Sequence, residues 1–336
     1  MLCFCAYAAN LLLSGMDPIL PAEAAGIRSG PVPIAGQPRF SGAVTAPVLL
    51  PSQIRLIPDS CYDYRGCKVS GRKYVHGYTG REAERLRDQA ETLTGLLHGD
   101  TRYPAGSEVL EAGCGTGAQT VILARNNPEA RITSIDISET SLDAARARVL
   151  AEGMKNVTFR AGDIYDLPCP PGSFDHIFLC FVLEHLAEPL RALERLRPLL
   201  REGGTITVIE GDHGSAYFHP DSPHARRAIG CLVDLQRGMG GNALIGRELY
   251  PLVTCAGYRD VSVSPRMVYV DATRPDLVQG FTRLTFTAMV EGVGEDAVGR
   301  GMMSREDWEQ GIRDLYRTAE PDGVFCYTFF KATGRR

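Results

Sequence analysis

At 336 residues, with 44% hydrophobic and 23% charged side chains, the chain has the composition of an ordinary globular protein, not of a disordered or fibrous one. Its formal net charge of -4 speaks against a nucleic-acid binder, which carries a basic excess, and no stretch is apolar for long enough to cross a bilayer. The 10 cysteines are scattered without a C-x-x-C pair, so free thiols in a reducing, cytoplasmic setting are expected and a metal site is not.

The chain opens on MLCFCAYAANLLLSG, which is apolar but lacks the Lys or Arg that precedes a secretory signal core. Met16 is an alternative start. Residues 1–70 are rich in Pro, Gly, Ser and Ala without a sustained period, and a mostly disordered extension is expected there. Order is expected from near Tyr74, in one catalytic domain over 71–336. Thr79 and Glu82 have capping-box spacing, and Ala83, Leu86, Ala90, Leu93 and Leu97 recur at helical intervals behind them.

From Glu108 the pattern alternates between strand and helix. EVLEA (108–112) reads as a strand, followed by a glycine turn and a helix over about 117–126. RITSID (131–136) is the second strand. Ser138 is placed to cap a helix whose Leu142, Ala145 and Val149 share a face before Gly153. VTFRAGD (157–163) and FDHIFLCFVL (174–183) are the third and fourth strands, the fourth apolar on both faces as a central parallel strand is. A helix with Leu190, Leu193, Leu196 and Leu200 on one face leads through Gly203 and Gly204 to TITVIE (205–210). Residues 211–245 read as a polar insert, 246–256 as a short helix and 261–270 as a strand. Helical patterns near 275–292 and 304–319 precede the last strand, 324–332. Such alternation predicts an α/β fold with a doubly wound, mostly parallel sheet and right-handed crossovers.

The most informative segment is VLEAGCGTGAQ (109–119), a strand, a bare turn and a helix start. Gly113, Gly115 and Gly117 let the backbone turn sharply and approach a ligand, and the helix behind them offers unpaired N–H groups. A dinucleotide is one candidate: Gly113, Gly115 and Ala118 satisfy G-x-G-x-x-A, with Asp136 at the distance of a ribose ligand. The neighbouring acids favour another. Glu111 ends the first strand beside the loop, suited to an ammonium and ill suited to a pyrophosphate. Asp163, with Ile164, follows the third strand, suited to adenine. Three acids at three successive strand ends fit S-adenosylmethionine.

The run E-x-G-x-G-x-G, then Asp136, GDIYDLP, FDHIFLCFVLEHL and LLREGGTITVIE resembles the class I S-adenosylmethionine-dependent methyltransferases of the UbiE and Methyltransf_11 type, closely over 105–212. The resemblance implies a Rossmann-like, seven-stranded sheet of order 3-2-1-4-5-7-6 with the last strand antiparallel. It also implies that Glu111, Gly113, Gly115, Asp136, Asp163, Ile164 and Phe181 occupy cofactor positions, and Gln119 and Ile137 are expected to join them. One departure stands out: about 53 residues (271–323) separate the last two strands, where minimal members have a hairpin. Helices there and in 211–245 are expected to form a lid over the acceptor.

A sulfonium is already an activated electrophile, so alignment and exclusion of water are the protein's main tasks and a base is optional. His213, after the fifth strand, ranks first as base, ahead of His185 in LEHL and of His219; His76 reads as structural or lid-forming. Tyr74, a candidate catalytic residue, and Tyr78 flank the N-terminal helix, where aromatic faces can stabilise a sulfonium. Phe281, Phe286 and Met289 line an apolar pocket or pack in the core, the latter being the expectation. Glu210 and Asp212 hold a hydroxyl or amine of the acceptor, or cap the sheet edge. The expected function is methyl transfer to a small-molecule acceptor, in secondary metabolism or on a lipid-like or quinone-like compound. A homo-oligomer is conceivable through exchange of the N-terminal helix. An NAD-dependent oxidoreductase and a non-catalytic S-adenosylmethionine-binding protein are the alternatives. A protein or nucleic-acid acceptor is not expected, because FVLE stands where amino-methylating relatives carry N-P-P-[YF].

Overall fold

The apolar runs assemble into one sheet. In the computed structural model, β1 (Glu108–Ala112), β2 (Arg131–Asp136), β3 (Val157–Ala161), β4 (Phe174–Cys180) and β5 (Leu200–Gly211) are all parallel to their neighbours, in the order 3-2-1-4-5. The structure describes residues 93–336. The expected extension over 1–70, Tyr74, His76, Tyr78 and the capping pair Thr79 and Glu82 lie outside the described residues.

Three further strands complete the sheet: β6 (Tyr217–His219), β7 (Arg259–Val270) and β8 (Val324–Arg335). β8 runs antiparallel to β5, β6 and β7. Cys326 pairs with both Tyr217 and Tyr269, and Ala332 with both Val208 and Val263, so β5 and β6 lie end to end along one edge of β8 and β7 along the other. With the short β6 set aside, the order is the expected 3-2-1-4-5-7-6 with the last strand antiparallel. β6 itself went unforeseen, because three residues carry no legible alternation.

Both faces of the central strands β1, β4 and β5 are buried, as central parallel strands require. Val109, Phe178 and Ile209 point into one core with Leu93, Leu97 and Leu123. Their neighbours Leu110, Ile177, Leu179 and Val208 point into the other with Leu193 and Leu196. The crossover helices are α1 (Ala118–Asn126), α2 (Glu139–Ala151) and α3 (Pro189–Leu196). Ser138 caps α2 as expected, its side chain accepting from the Ser141 N–H.

Several boundaries differ from the sequence reading. β3 and β4 end at Ala161 and Cys180, short of 163 and 183. Phe181 stops β4 by adopting φ 58°, a left-handed conformation that no ladder accommodates. Leu200 belongs to β5 and not to the preceding helix, since Pro198 interrupts the winding and a 3-10 turn (Arg197–Leu199) takes over. The 211–245 segment contains a 16-residue helix, α4 (Pro223–Gly238), capped by Ser222. A further short helix, α5 (Leu249–Cys255), precedes β7.

The stretch between β7 and β8 departs furthest from the ordinary. Val278–Thr287 is a ten-residue π-helix, a form that is rare at such length and often marks a functional region. The Thr285 hydroxyl donates to the Gly280 carbonyl, five residues back, in keeping with the wide winding. Short turns Ala288–Glu291 and Gly294–Gly299 lead to α6 (Arg305–Arg317), which is capped by Ser304. Phe281, Phe286 and Met289 are all buried in the first core, as expected for packing residues.

Candidate functional site

The carboxyl ends of β1 and β2 and the loop after β3 carry the acids that the sequence singled out. Glu111 faces Ser134 across β1 and β2, and Asp136 faces Ala161 across β2 and β3. Between them the glycine loop turns on positive φ values of 84° at Gly113, 51° at Gly115 and 80° at Gly117. The turn is also close-packed: a Cβ on Gly113 would lie 2.7 and 2.9 Å from the Val182 methyls, and one on Gly117 2.9 Å from the Ala145 Cα. Glycine is required at both places by conformation and by space.

Asp136 braces this loop. One carboxylate oxygen accepts from the Gly115 N–H at 2.8 Å and the other from the Ser138 N–H at 2.9 Å. Glu111 is buried and accepts hydroxyl hydrogen bonds from Thr120 (2.8 Å) and Ser134 (2.6 Å). Burial pushes its carboxyl up to about 7, against the pull of the two hydroxyls and with a further push from Asp136. Such a group gains from a cation beside it. The Thr116 hydroxyl in the same loop is buried and has no hydrogen-bond partner among the described residues. An unsatisfied donor in a Cβ-free cradle between two acids fits a polar, partly cationic ligand.

Asp163 accepts from the Tyr165 N–H at 3.0 Å, Ile164 is buried beside it, and Ile137 is 56% exposed next to Asp136. Gln119 is engaged differently from expectation: its amide oxygen is 2.7 Å from His98 Nε2, which ties α1 to the helical residues 93–98. Phe181 lies half-buried after β4, its N–H donating to Ile209 and its ring 5.5 Å from Phe329.

A second polar cluster occupies the end of β5, across from the loop. His213 is buried, with Nδ1 2.7 Å from the Tyr327 hydroxyl and Nε2 3.9 Å from the Glu184 carboxylate. His185 is less enclosed and sits 3.6 Å from the other Glu184 oxygen. His219 lies exposed in β6, apart from this group. Glu210 is fully buried; one oxygen accepts from the N–H groups of Val182 and Leu183, clamping the turn that Phe181 begins. Burial, then the neighbouring Glu184, pushes its carboxyl well above the usual range. Asp212, by contrast, is neutralised by both guanidinium arms of Arg247, at 2.7 Å each. Burial, and then the neighbouring Glu210, Glu111 and Glu184, push the Cys180 thiol up.

Tyr327, Glu184 and Gln236 were missed from the sequence. Gln236 left the clearest trace, as a polar residue on the apolar stripe of α4 formed by Ile229, Leu232 and Leu235. Tyr327 meets His213 only through the antiparallel β8, 114 residues away in the chain, and no local pattern encodes that.

Residues 109–204, from β1 into β5, match the Methyltransf_25 family, a methyltransferase domain. They form a class I S-adenosylmethionine-dependent methyltransferase domain. The methyltransferase domain is similar in sequence to the 27-O-demethylrifamycin SV methyltransferase of Amycolatopsis mediterranei, at 30% identity over 41% of this chain and 51% of that protein. It is likewise similar to the demethylmenaquinone methyltransferase of Symbiobacterium thermophilum, at 31% identity over 35% of this chain and 48% of that one. The chain spans about half the length of these curated relatives. A solved structure that is similar, the [4+2]-cyclase SpnF, aligns with 19% identity and a TM-score of 0.46 over 74% of this chain and 80% of that one. His213, Gln236 and Tyr327 lie beyond the segment that matches the methyltransferase family.

Proposed function

We propose that this chain transfers a methyl group from S-adenosylmethionine to a small-molecule acceptor, with His213 as the base. The observation that carries this reading is the apposition of two sites at the strand ends: the acid-flanked glycine loop and, beside the β4 tip, the buried Glu184–His213–Tyr327 cluster. Bound at the loop, the cofactor would supply an activated methyl group on a positively charged sulfur. Asp136 would hold the ribose hydroxyls, Glu111 the ammonium, and Asp163 with Ile137 and Ile164 the adenine. His213, fixed by Tyr327 at one ring nitrogen and set beside Glu184 at the other, would take the acceptor's proton, and Glu184 would stabilise the resulting imidazolium.

Relatives named for demethylrifamycin and demethylmenaquinone support a small-molecule acceptor. No described helix is long and apolar enough to cross a membrane. Titration calorimetry with S-adenosylmethionine and with NADH tests the cofactor; uptake of NADH alone would favour the oxidoreductase alternative. Release of S-adenosylhomocysteine in the presence of an acceptor separates a catalyst from a protein that merely binds the cofactor. His213→Ala is expected to lower turnover by about 100-fold or more while changing cofactor affinity little, and an unaltered rate removes it as the base.

A further inference from the structure

The cluster beyond β5 holds two buried side-chain oxygens that have no hydrogen-bond partner among the described residues. Gln236, 1% exposed, donates from its amide nitrogen to the Glu184 backbone carbonyl at 3.0 Å and to the Glu184 carboxylate at 3.2 Å. That fixes which way the amide points, and its oxygen is left buried with no partner among the described residues. Glu210, 0% exposed, shows the same feature: one carboxyl oxygen serves Val182 and Leu183, and the other is buried and unpartnered among the described residues. Two different elements, α4 and β5, therefore each present an unsatisfied oxygen in the neighbourhood of Glu184.

Charge points the same way. Glu184 and Glu210 are close enough to perturb one another, and the cation near the end of β5, Arg247, is committed to Asp212. Lys331, the buried lysine of β8, is committed to Asp100 and Thr101. A sulfonium relieves part of the charge but has no hydrogen to donate. A hydroxyl donates one hydrogen and brings lone pairs of its own to a place already rich in them. A primary amine, entering as its ammonium, brings three donors and a positive charge.

We propose that the methyl acceptor carries a primary amine, recognised by Glu184, Glu210 and Gln236, and that the transfer is to nitrogen. This deepens the functional reading above and rests on it. The entering ammonium gives one proton to the Glu184–His213 pair. The freed nitrogen lone pair then forms the new N–C bond while the carbon–sulfur bond breaks and its electron pair stays on sulfur, leaving a methylammonium and a neutral thioether.

The test uses the full chain with trideuteromethyl-labelled S-adenosylmethionine and a panel of primary amines, each beside the alcohol of the same carbon skeleton. S-adenosylhomocysteine binding is measured first by calorimetry; its absence defeats the cofactor reading itself. With that binding present, labelled N-methyl products from the amine members, and no product from the paired alcohols, support the proposal. Label on oxygen or carbon, equal turnover of both members, or no product from any amine overturns it. The variants Glu184→Gln and Gln236→Met are assayed with the best amine. An apparent affinity for that amine about tenfold or more weaker, in protein that still takes up S-adenosylhomocysteine, supports the assignment. An amine affinity equal to that of the unaltered chain overturns it.

Discussion

Acidification should weaken cofactor binding through one side chain, Glu111. Its carboxyl stands at about 7 in the unliganded protein, raised from 4.5 chiefly by burial and held from rising further by the Ser134 and Thr120 hydroxyls. An ammonium beside it favours the ionised form, so binding must expel whatever proton is there. If only the carboxylate binds, about half the protein is competent at pH 7, and about one part in eleven at pH 6. The association constant should therefore fall about tenfold between pH 8 and pH 6, or about 1.4 kcal/mol. The assay is calorimetry with S-adenosylhomocysteine at three pH values in two buffers of different ionisation enthalpy, which reads affinity and released protons together. Roughly one proton should be released at pH 6 and few at pH 8, and Glu111→Gln should abolish both dependences. An affinity that stays flat, or heat that does not vary with buffer, would mean that Glu111 does not meet the ammonium. The stability of the unliganded protein runs the opposite way. Because the folded pKa is raised, the favourable contribution is complete below the unfolded value of 4.5 and is lost as pH rises through about 7.

Three other substitutions probe the frame. Gly113→Ala places a methyl 2.7 Å from Val182 at a φ of 84°. It should cost about 1–3 kcal/mol and S-adenosylhomocysteine affinity with it; an unchanged melting temperature and Kd would refute the close-packing argument. Phe281→Ala removes the ring that touches Phe286, Phe325, Tyr327 and Phe329. Urea unfolding should show a loss of about 3–5 kcal/mol, and a loss below about 1 kcal/mol would place that ring outside the core. His98 is held neutral by burial, its pKa lowered from 6.5 to about 4. Stability should be intact above 6.5 and fall by about 3 kcal/mol as pH drops toward 4. His98→Gln should flatten that part of the profile, and parallel curves for the two proteins would refute the assignment.

The glycine-loop side of the candidate site was legible because its determinants are local. A strand end, a glycine bend and a helix start occupy eleven consecutive residues, 109–119; the acid at 136 closes β2, and the one at 163 follows β3 by two residues. β3 was placed from the sequence although it is half exposed. The proposed acceptor side is assembled from distant pieces: a 3-10 turn after β4, the end of β5, the last turn of α4 and the antiparallel β8. Glu210 read either as a holder of an acceptor's hydroxyl or amine or as a cap on the sheet edge; it is fully enclosed, because whether a strand end is covered depends on elements placed far along the chain. Gln119, at the start of α1, has a partner that no local pattern shows, His98 from the helix before the sheet.

The wide coil between β7 and β8 dictates more than a local shape. Phe281 and Phe286 are five residues apart, and both rings reach Tyr327. In a coil of about 4.4 residues per turn that interval rotates the side chain by roughly 50°, whereas at 3.6 residues per turn it would be roughly 140°. Removing one residue from Val278–Thr287 would let the segment tighten, and one of the two rings would swing off the face that now meets His213 and β8. The region should thus tolerate exchange of one apolar side chain for another of similar size far better than it tolerates a change of length by a single residue.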